Sequence, residues 1–417
     1  MMACTMFLKE CRQIMKSSSY IIFVIVLIAF GYSQIKPEFV KIEKPQQGQE
    51  SYGTKYEEKP EIIMTSAVKS LYGEFAVNSY TAYPVGFYKK VKLNSKHQLE
   101  MAEILSKLSG ISADKLPAYA GTETAGEAAP ENPDTITLDV KVDKNLSYEQ
   151  FLSIMEKTDK LIGGGSKYGH TYLIRFGKMN KTYEDALSEY NDILEKDRIT
   201  GAYARLFCDY LGIILGLFPV FLAAAYGMKD RRAGMRELIY TRKASSLKIV
   251  FIRYFSMAAM MFLPVLIMAV YASIQVAGNY AGFNLDKLAF IKYSIGWLLP
   301  TLMVSAAAGT FMTELTDTPI AIAVQGIWWF IGLFSGMKHI DGGYGTDLVL
   351  RHNMIGNTQV YLRNYPILLV NRISYIIAAL MLILFTAWIY ELKRRGGLNG
   401  NFGFKKIFSN PQGKCKA

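Results

Sequence analysis

The sequence predicts a membrane protein: an all-α domain of six transmembrane helices, with a large extracytoplasmic α+β domain inserted between spans 1 and 2. Six apolar runs predict the spans, since a helix needs about 20 apolar residues to cross a bilayer. A polar stretch predicts the inserted domain, because residues 36–205 carry 23 Lys or Arg and 25 Asp or Glu. A basic loop predicts the orientation. It runs from Lys229 to Lys248 between two apolar runs, with seven Lys or Arg against two acids, and short loops of that kind lie in the cytoplasm.

The predicted elements follow in chain order. The first apolar run has basic residues before it but no small-x-small cleavage site after it, so we expect an uncleaved span rather than a signal peptide. The layout is a multi-pass protein of the cell membrane with both termini in the cytoplasm. The domains are a cytoplasmic amphipathic N-terminal helix at 1–16, span 1 at 17–35, the extracytoplasmic domain at 36–205, spans 2–6 within 206–390, and a basic cytoplasmic tail at 391–417. The five later spans are predicted at 206–228, 249–274, 289–312, 318–336 and 367–390.

The inserted domain shows both helical and strand patterns. Apolar residues recur at helical spacing in 97–108, 148–162 and 183–194. Alternation at 135–142 and a short apolar run at 172–176 predict strands. These patterns predict a compact α+β domain that is large enough for its own core.

The formal net charge of +12 does not indicate a nucleic-acid partner. Segments predicted to be cytoplasmic carry +11 of that charge, which is the bias that membrane topology produces. Membrane lipids are therefore an expected partner, and nucleic acid is not. The four cysteines lie outside the inserted domain and the four histidines are scattered, so neither a disulfide framework nor a metal site is predicted.

No catalytic constellation is found. Residues 164–171 read GGSKYGHT, which resembles a phosphate-binding loop except that His170 stands where the essential lysine belongs. A Gly-rich turn between the helix at 148–162 and the strand at 172–176 is the preferred interpretation. The chain is therefore predicted not to be an enzyme and to bind no cofactor.

Four residues within the spans are candidates for a moving pathway or for helix packing. A proline inside a span removes a backbone hydrogen bond and kinks the helix. A polar side chain inside a bilayer usually faces the interior of a bundle or a cavity. The candidates are Pro219, Pro264, Pro300 and Gln325.

The basic loop carries a resemblance to a known family. Its residues of interest are Asp230, Arg231, Arg232, Gly234, Met235, Arg236, Glu237, Leu238 and Tyr240. This segment resembles the one between spans 2 and 3 of ABC-2-type transporter permeases, where a charged residue and a glycine precede a short helix and a basic stretch. The layout is similar too, with an inner N-terminal helix, six spans, both termini inside and, in some members, a large outer domain after span 1. The inserted domain matches no motif of the family.

The resemblance implies the permease subunit of an ATP-binding-cassette exporter, working as a dimer with a second copy or a paralogue. Separate cytoplasmic ABC ATPase subunits would hydrolyse the ATP, so ATP and Mg²⁺ are expected in that partner. The loop then resembles the coupling helix that receives force from the ATPase. Its arginines would donate to acidic grooves, and its apolar side chains would form contact surface.

Other interpretations stay open. The loop is purely topogenic in one of them. In another, the chain is a membrane-anchored sensor or scaffold whose outer domain binds a ligand or partner without transport. An intramembrane enzyme is disfavoured, because the spans contain neither paired acids nor a His/Glu cluster.

Overall fold

A computed structural model describes residues 2–84, 87–113, 116, 141–241, 243–336 and 342–396. The described chain divides into two compact units, one formed by residues 44–188 and the other by the remaining residues. The helices are α1 Met2–Met15, α2 Ser18–Ile35, α3 Pro60–Ala76, α4 Ser95–Ser109, α5 Tyr148–Ile162, α6 His170–Leu173, α7 Tyr183–Glu195, α8 Thr200–Leu217, α9 Pro219–Gly227, α10 Lys229–Arg232, α11 Arg236–Tyr240, α12 Ser246–Asn279, α13 Ala289–Tyr293, α14 Leu299–Thr316, α15 Ile320–Gly336 and α16 Thr358–Arg394. The strands are β1 Thr54–Tyr56, β2 Tyr80–Ala82, β3 Lys89–Val91 and β4 Lys178–Asn180.

The unit formed by residues 44–188 is mainly helical in its described part, with two small antiparallel sheets. Its helices α3, α4 and α5 pack around a core that includes the fully buried Tyr80, Phe151 and Tyr168. The registers of the two sheets are Thr54↔Asn180 for β1 and β4, and Tyr80↔Val91 for β2 and β3.

Local sequence explains where α5 begins and ends. Ser147 accepts a hydrogen bond from the backbone N–H of Gln150, whose side chain accepts one from the N–H of Ser147. This capping box satisfies two N–H groups that the first turn leaves free. Gly163 ends the helix in a left-handed conformation, as glycine commonly does. The three helices predicted in this region of the sequence are confirmed as α4, α5 and α7.

The predicted strand at 172–176 is wrong. The segment instead forms α6 and a 3₁₀ turn at Ile174–Gly177. Tyr172 and Leu173 are both buried, whereas a strand sends neighbouring side chains to opposite faces. The strand predicted at 135–142 lies outside the described residues except for its last two, which belong to no strand.

Five helical segments are long and apolar enough to cross a membrane. They are Ser18–Glu38, Thr200–Arg232, Ser246–Asn279, Ala289–Thr316 and Thr358–Arg394. Each coincides with one of the predicted spans, although the second begins six residues before position 206 and the last nine residues before position 367. The remaining predicted span corresponds to α15, which is apolar but has 17 residues, at the lower limit for a span. The described chain is therefore a helical membrane protein with five candidate spans.

The three candidate prolines take different positions in their helices. Pro219 follows directly on α8 and begins α9, because it has no N–H to continue the ladder of hydrogen bonds. Pro300 lies in the first turn of α14, after a π-helical turn at Ser294–Leu298. Pro264 lies inside α12, which continues through it.

The loop at 342–357 enters the helical bundle. Its residues Leu348, Val349 and Leu350 are almost fully buried. Val349 packs against α8 where a glycine leaves room, since a Cβ at Gly216 would lie only 2.6 Å from Val349 Cγ2. The polar composition around this three-residue apolar run gave no sign of the insertion.

Candidate functional site

The basic loop folds into two short helices joined by a glycine turn. α10 ends in a Schellman motif, in which Met235 N–H donates to Asp230 O at 3.0 Å. The second bond of the motif runs from Gly234 N–H to Arg231 O at 3.1 Å. Gly234 has a φ of +65°, a left-handed conformation that costs other residues about 1–2 kcal/mol. The turn sets the direction of α11 relative to α10.

Arg236 binds α11 to an acidic turn formed by Glu314 and Asp317 between α14 and α15. Its Nη1 donates to Asp317 Oδ1 at 2.9 Å and its Nη2 to Glu314 Oε1 at 3.1 Å. Its Nε donates to Tyr240 Oη at 2.6 Å. Burial disfavours the charge on Arg236, but the two carboxylates and Tyr240 outweigh it and raise the pKa of the guanidinium. Arg231 adds a bond from Nη1 to Asp317 O at 2.6 Å.

The end of α16 binds both the acidic turn and the loop. Lys393 Nζ lies 3.1 Å from Asp317 Oδ2. Arg394 Nε donates to Tyr240 O at 2.8 Å. The rings of Tyr240 and Tyr390 meet edge to face with centroids 5.3 Å apart. Two elements that are distant in sequence, the acidic turn and the end of α16, therefore hold one face of α11.

The start of the loop is held by a second ion pair. Arg253 Nη1 on α12 lies 2.6 Å from Asp230 Oδ2, and its Nε lies 3.6 Å from Glu10 Oε1 on α1. Glu10 also accepts a hydrogen bond from Tyr226 Oη. Sequence analysis assigned no role to Arg253, because its two acidic partners come from other segments.

The opposite face of α11 is open. Met235 is 50 % exposed and Leu238 is 62 % exposed, and Arg232 and Glu237 are exposed beside them. The side chain of Arg232 forms no hydrogen bond or ion pair with any described residue. Of the three arginines considered as donors to a partner, Arg231 and Arg236 thus bind within the chain. Arg232 is the one that is exposed without a described side-chain partner. We call Arg232, Met235 and Leu238 the open face.

The loop encloses too little space for a cofactor. The cavity lined by Asp230, Arg236, Glu314 and their neighbours measures about 20 Å³, which is room for about one water molecule. Among the described residues, no group of three or more His, Cys, Asp or Glu is placed to hold a metal ion. The side chains of the loop that are not held within the chain form exposed surface.

Gln325 takes part in helix packing beside the break at Pro219. Its Nε2 donates to Gly216 O at 2.6 Å and to Ser305 Oγ at 3.2 Å. Trp329 Nε1 donates to a second α8 carbonyl at 2.8 Å. Gly216 lies in the last turn of α8, where helix carbonyls lack partners within the helix. These contacts join α15 to α8 and α14. Pro219 thus lies close to the residue that Gln325 binds, whereas Pro264 lines a groove between α2 and α12.

A buried polar cluster at the start of α8 and α16 escaped sequence analysis. Arg205 is fully buried and binds Asp197 through both terminal nitrogens, with Nη2 and Oδ2 2.6 Å apart. Thr358 Oγ1 donates to the same carboxylate oxygen at 2.6 Å. Arg205 Nε donates to His352 Nε2 at 3.2 Å, and Gly356 O lies 3.0 Å from that nitrogen. A ring nitrogen cannot accept and donate at once. We therefore assign His352 Nε2 as the acceptor of the hydrogen bond from the charged Arg205 rather than as a donor to Gly356 O. Burial, with the nearby arginine, lowers the pKa of His352 to about 3.

Asp209 binds the loop at 342–357 to the middle of α8. Its fully buried carboxylate accepts the N–H of Asn353 at 2.7 Å and of His352 at 3.1 Å, and it pairs with Arg351. Sequence analysis assigned no role to Asp209. A carboxylate that lies within an apolar run was the available signal, because such groups are costly unless paired.

Arg372 is a second buried arginine and lies within α16. It is 3 % exposed, and its guanidinium donates to neutral oxygens: Asn371 Oδ1 at 2.9 Å, Trp297 O at 3.0 Å and Thr301 Oγ1 at 2.5 Å. Two carbonyls of the loop at 342–357, one of them Leu348 O, lie 3.5 Å from Nη2. Arg372 therefore joins α16 to the π-helical turn, to α14 and to the loop at 342–357, and it does so through neutral oxygens rather than a carboxylate.

No family model, curated protein or solved structure matches the chain. The fold and the contacts above define its class: a multi-helix membrane protein whose basic loop is held in place by ion pairs with the acidic turn.

Proposed function

We propose that the chain is the permease subunit of an ATP-binding-cassette exporter of the ABC-2 type. It moves a substrate across the cell membrane with ATP that a separate cytoplasmic subunit hydrolyses. In this proposal α15 is span 5 of six, both termini are cytoplasmic, and residues 36–205 lie outside. The permease acts as a dimer with a second copy or a paralogue, and ATP and Mg²⁺ bind to the partner ATPase.

The observation that carries the proposal is the two-faced structure of α11. A helix of five residues is not stable alone, so its shape depends on Arg236, Tyr240 and their partners in the acidic turn and α16. The other face presents apolar and basic side chains to solvent. A purely topogenic loop needs positive charge but does not need a held helix with exposed Met235 and Leu238. A coupling helix needs both features, because it must bind a partner and transmit its movement.

The arrangement also supports transmission of force. The acidic turn ends α14 and precedes α15, and Lys393 lies at the end of α16. A displacement of α11 therefore acts on three apolar helices through ion pairs rather than through a flexible connection. Movement of these helices against one another is the step that would carry the substrate.

Co-purification tests the proposal. The full chain is expressed with its neighbouring genes, reconstituted in nanodiscs, and assayed for a bound ATPase and for ATP hydrolysis. We expect an ATPase to be captured, and Leu238→Asp to lower its capture at least tenfold, because a buried leucine contributes about 1.5–3 kcal/mol. Leu99→Asp is the matched control, since Leu99 is 69 % exposed on α4.

Two results would count against the proposal. If no ATPase is captured, the sensor or scaffold interpretation replaces it. If Leu238→Asp captures the ATPase as well as Leu99→Asp does, α11 is not the contact. Orientation is tested separately with single cysteines at positions 238 and 99 in a cysteine-free background. An impermeant maleimide added to intact cells should label position 99 and spare position 238.

A further inference from the structure

An apolar groove lies between α2 and α12. Its two parts measure about 290 and 400 Å³. They share Ile28, Ile267 and Met268, so they form one continuous groove. The larger part extends along α2 from Ile28 to Lys36, about 12 Å at 1.5 Å per residue. That length is close to half of a hydrocarbon core of about 30 Å, which is the depth of one leaflet.

The two helices contact each other at Gly31 and Met268, and Tyr20 Oη on α2 donates to Met260 O on α12 at 3.1 Å. A Cβ on Gly31 would lie 2.3 Å from Met268 Cε, so the end of the Met268 side chain occupies the space that this glycine leaves open. Away from that contact the side chains diverge, and Ile28 and Ile267 are 46 % and 62 % exposed. Both helices are candidate membrane spans, so lipid is the surrounding medium of these apolar walls.

One end of the larger part carries a cation between aromatic rings. Lys36 Nζ lies 5.0 Å from the centre of the Tyr32 ring, and Tyr271 lines the groove at the same end. Tyrosines of this kind mark the level of lipid headgroups. Lys36 forms no ion pair with any described carboxylate, and the neighbouring Glu38 instead accepts a hydrogen bond from Tyr210 Oη at 3.4 Å.

We propose that this groove is a binding site for an anionic phospholipid, with one acyl chain along Ile28 and Ile267 and the phosphate at Lys36. The apolar walls suit a hydrocarbon chain of one leaflet, and an ammonium group that no described carboxylate neutralises suits a negatively charged headgroup. A zwitterionic lipid would gain the same apolar contacts without the net attraction. The site does not depend on the proposed function, because it requires only that α2 and α12 face lipid.

The test uses two photoreactive lipids, phosphatidylglycerol and phosphatidylcholine, each with a diazirine on one acyl chain. The full chain is reconstituted in phosphatidylcholine nanodiscs with a trace of either probe, irradiated, and mapped by mass spectrometry. We expect phosphatidylglycerol to label the segments 28–36 and 263–272 about fivefold more than phosphatidylcholine, which corresponds to the roughly 1 kcal/mol that one lysine contributes near an anionic headgroup. Lys36→Gln should remove this preference, and Lys41→Gln, on an exposed lysine outside the groove, should keep it.

A steric variant tests the walls. Ile267→Trp should fill the groove and reduce labelling by both lipids. Ile274→Trp is the matched control, because Ile274 is 64 % exposed on α12 but does not line the groove. Equal labelling by the two lipids would overturn the proposal, as would a preference that survives Lys36→Gln. Absence of labelling by both lipids would overturn it too, because another protein surface, such as a second copy, would then cover the groove.

Discussion

Replacing Arg236 by Gln should release α11 from the acidic turn. The side chain of Arg236 is 23 % exposed, and those of Glu314 and Asp317 are 15 % and 14 % exposed. The substitution removes two charged hydrogen bonds, and the carboxylates retain Lys393 as their remaining cation. Tyr240 also loses the guanidinium that donates to its hydroxyl.

The expected loss in the free energy that holds α11 against the acidic turn lies between two limits. Exposed ion pairs contribute about 0–1 kcal/mol each, and buried hydrogen bonds to charged groups about 1.5–3 kcal/mol each. These groups are mostly but not fully buried, so we take about 1 kcal/mol for each of the two bonds to carboxylates. The total of about 2 kcal/mol corresponds to roughly a thirtyfold increase in the fraction of opened loop.

Hydrogen exchange measures that opening directly. An isolated helix of five residues gives no lasting protection to its amides, so slow exchange in α11 reports that the helix is held. In nanodiscs, peptides that cover 236–241 should exchange about thirtyfold faster in Arg236→Gln than in the unsubstituted chain. Arg232→Gln is the matched control, because Arg232 lies on the open face. The reasoning is refuted if the two variants exchange at rates within twofold of each other.

Three further outcomes are expected. Gly234→Ala should speed exchange in the same peptides by about tenfold, because the left-handed conformation at φ +65° costs alanine about 1–2 kcal/mol; an unchanged rate would show that the turn is not strained. Arg372→Lys should lower the thermal midpoint in detergent, and Arg372→Met should lower it further. The guanidinium has five N–H donors, whereas the ammonium group of lysine has three and the thioether of methionine has none. A Met variant as stable as the parent would contradict this. The pKa of His352 is about 3 in the folded chain and about 6.5 in an unfolded one, so the unfolded chain binds more protons between these values and stability declines as the pH falls below about 6.5. The midpoint should therefore fall more between about pH 7 and pH 5 in the parent than in His352→Gln, and equal falls would remove the histidine from the explanation.

Much of the fold was predictable because its signals are local. The helix at 148–162 carries its own capping residues and a terminal glycine, and its apolar residues recur at the helical period. Five of the predicted spans have counterparts because a long apolar run has few other structures available to it. The segment at 172–176 was misjudged because a short apolar run fits a strand and a helical turn equally well.

The contacts of the candidate site were harder to predict, because they join residues that are distant in the chain. The sequence identified the basic loop, but it contained no sign that Arg236 binds residues about 80 positions away. The same limit applied to Arg205 and Arg372, whose partners come from the loop at 342–357 and from other helices. The sequence also contained no sign that the acidity of the turn at Glu314 and Asp317 is what binds the loop.

The length of α16 has a mechanical consequence. Its 37 residues extend about 55 Å, nearly twice the thickness of a hydrocarbon core. Arg372 is bound to its surroundings through most of its guanidinium and lies about 32 Å from the Lys393 end and about 21 Å from the Thr358 end at 1.5 Å per residue. If α16 pivots there as one rod through Pro366, which lies in its shorter arm, a rotation of about 10° swings the Lys393 tip by about 5.5 Å and the Thr358 tip by about 4 Å in the opposite sense, so a small push at one end becomes a comparable stroke at the other.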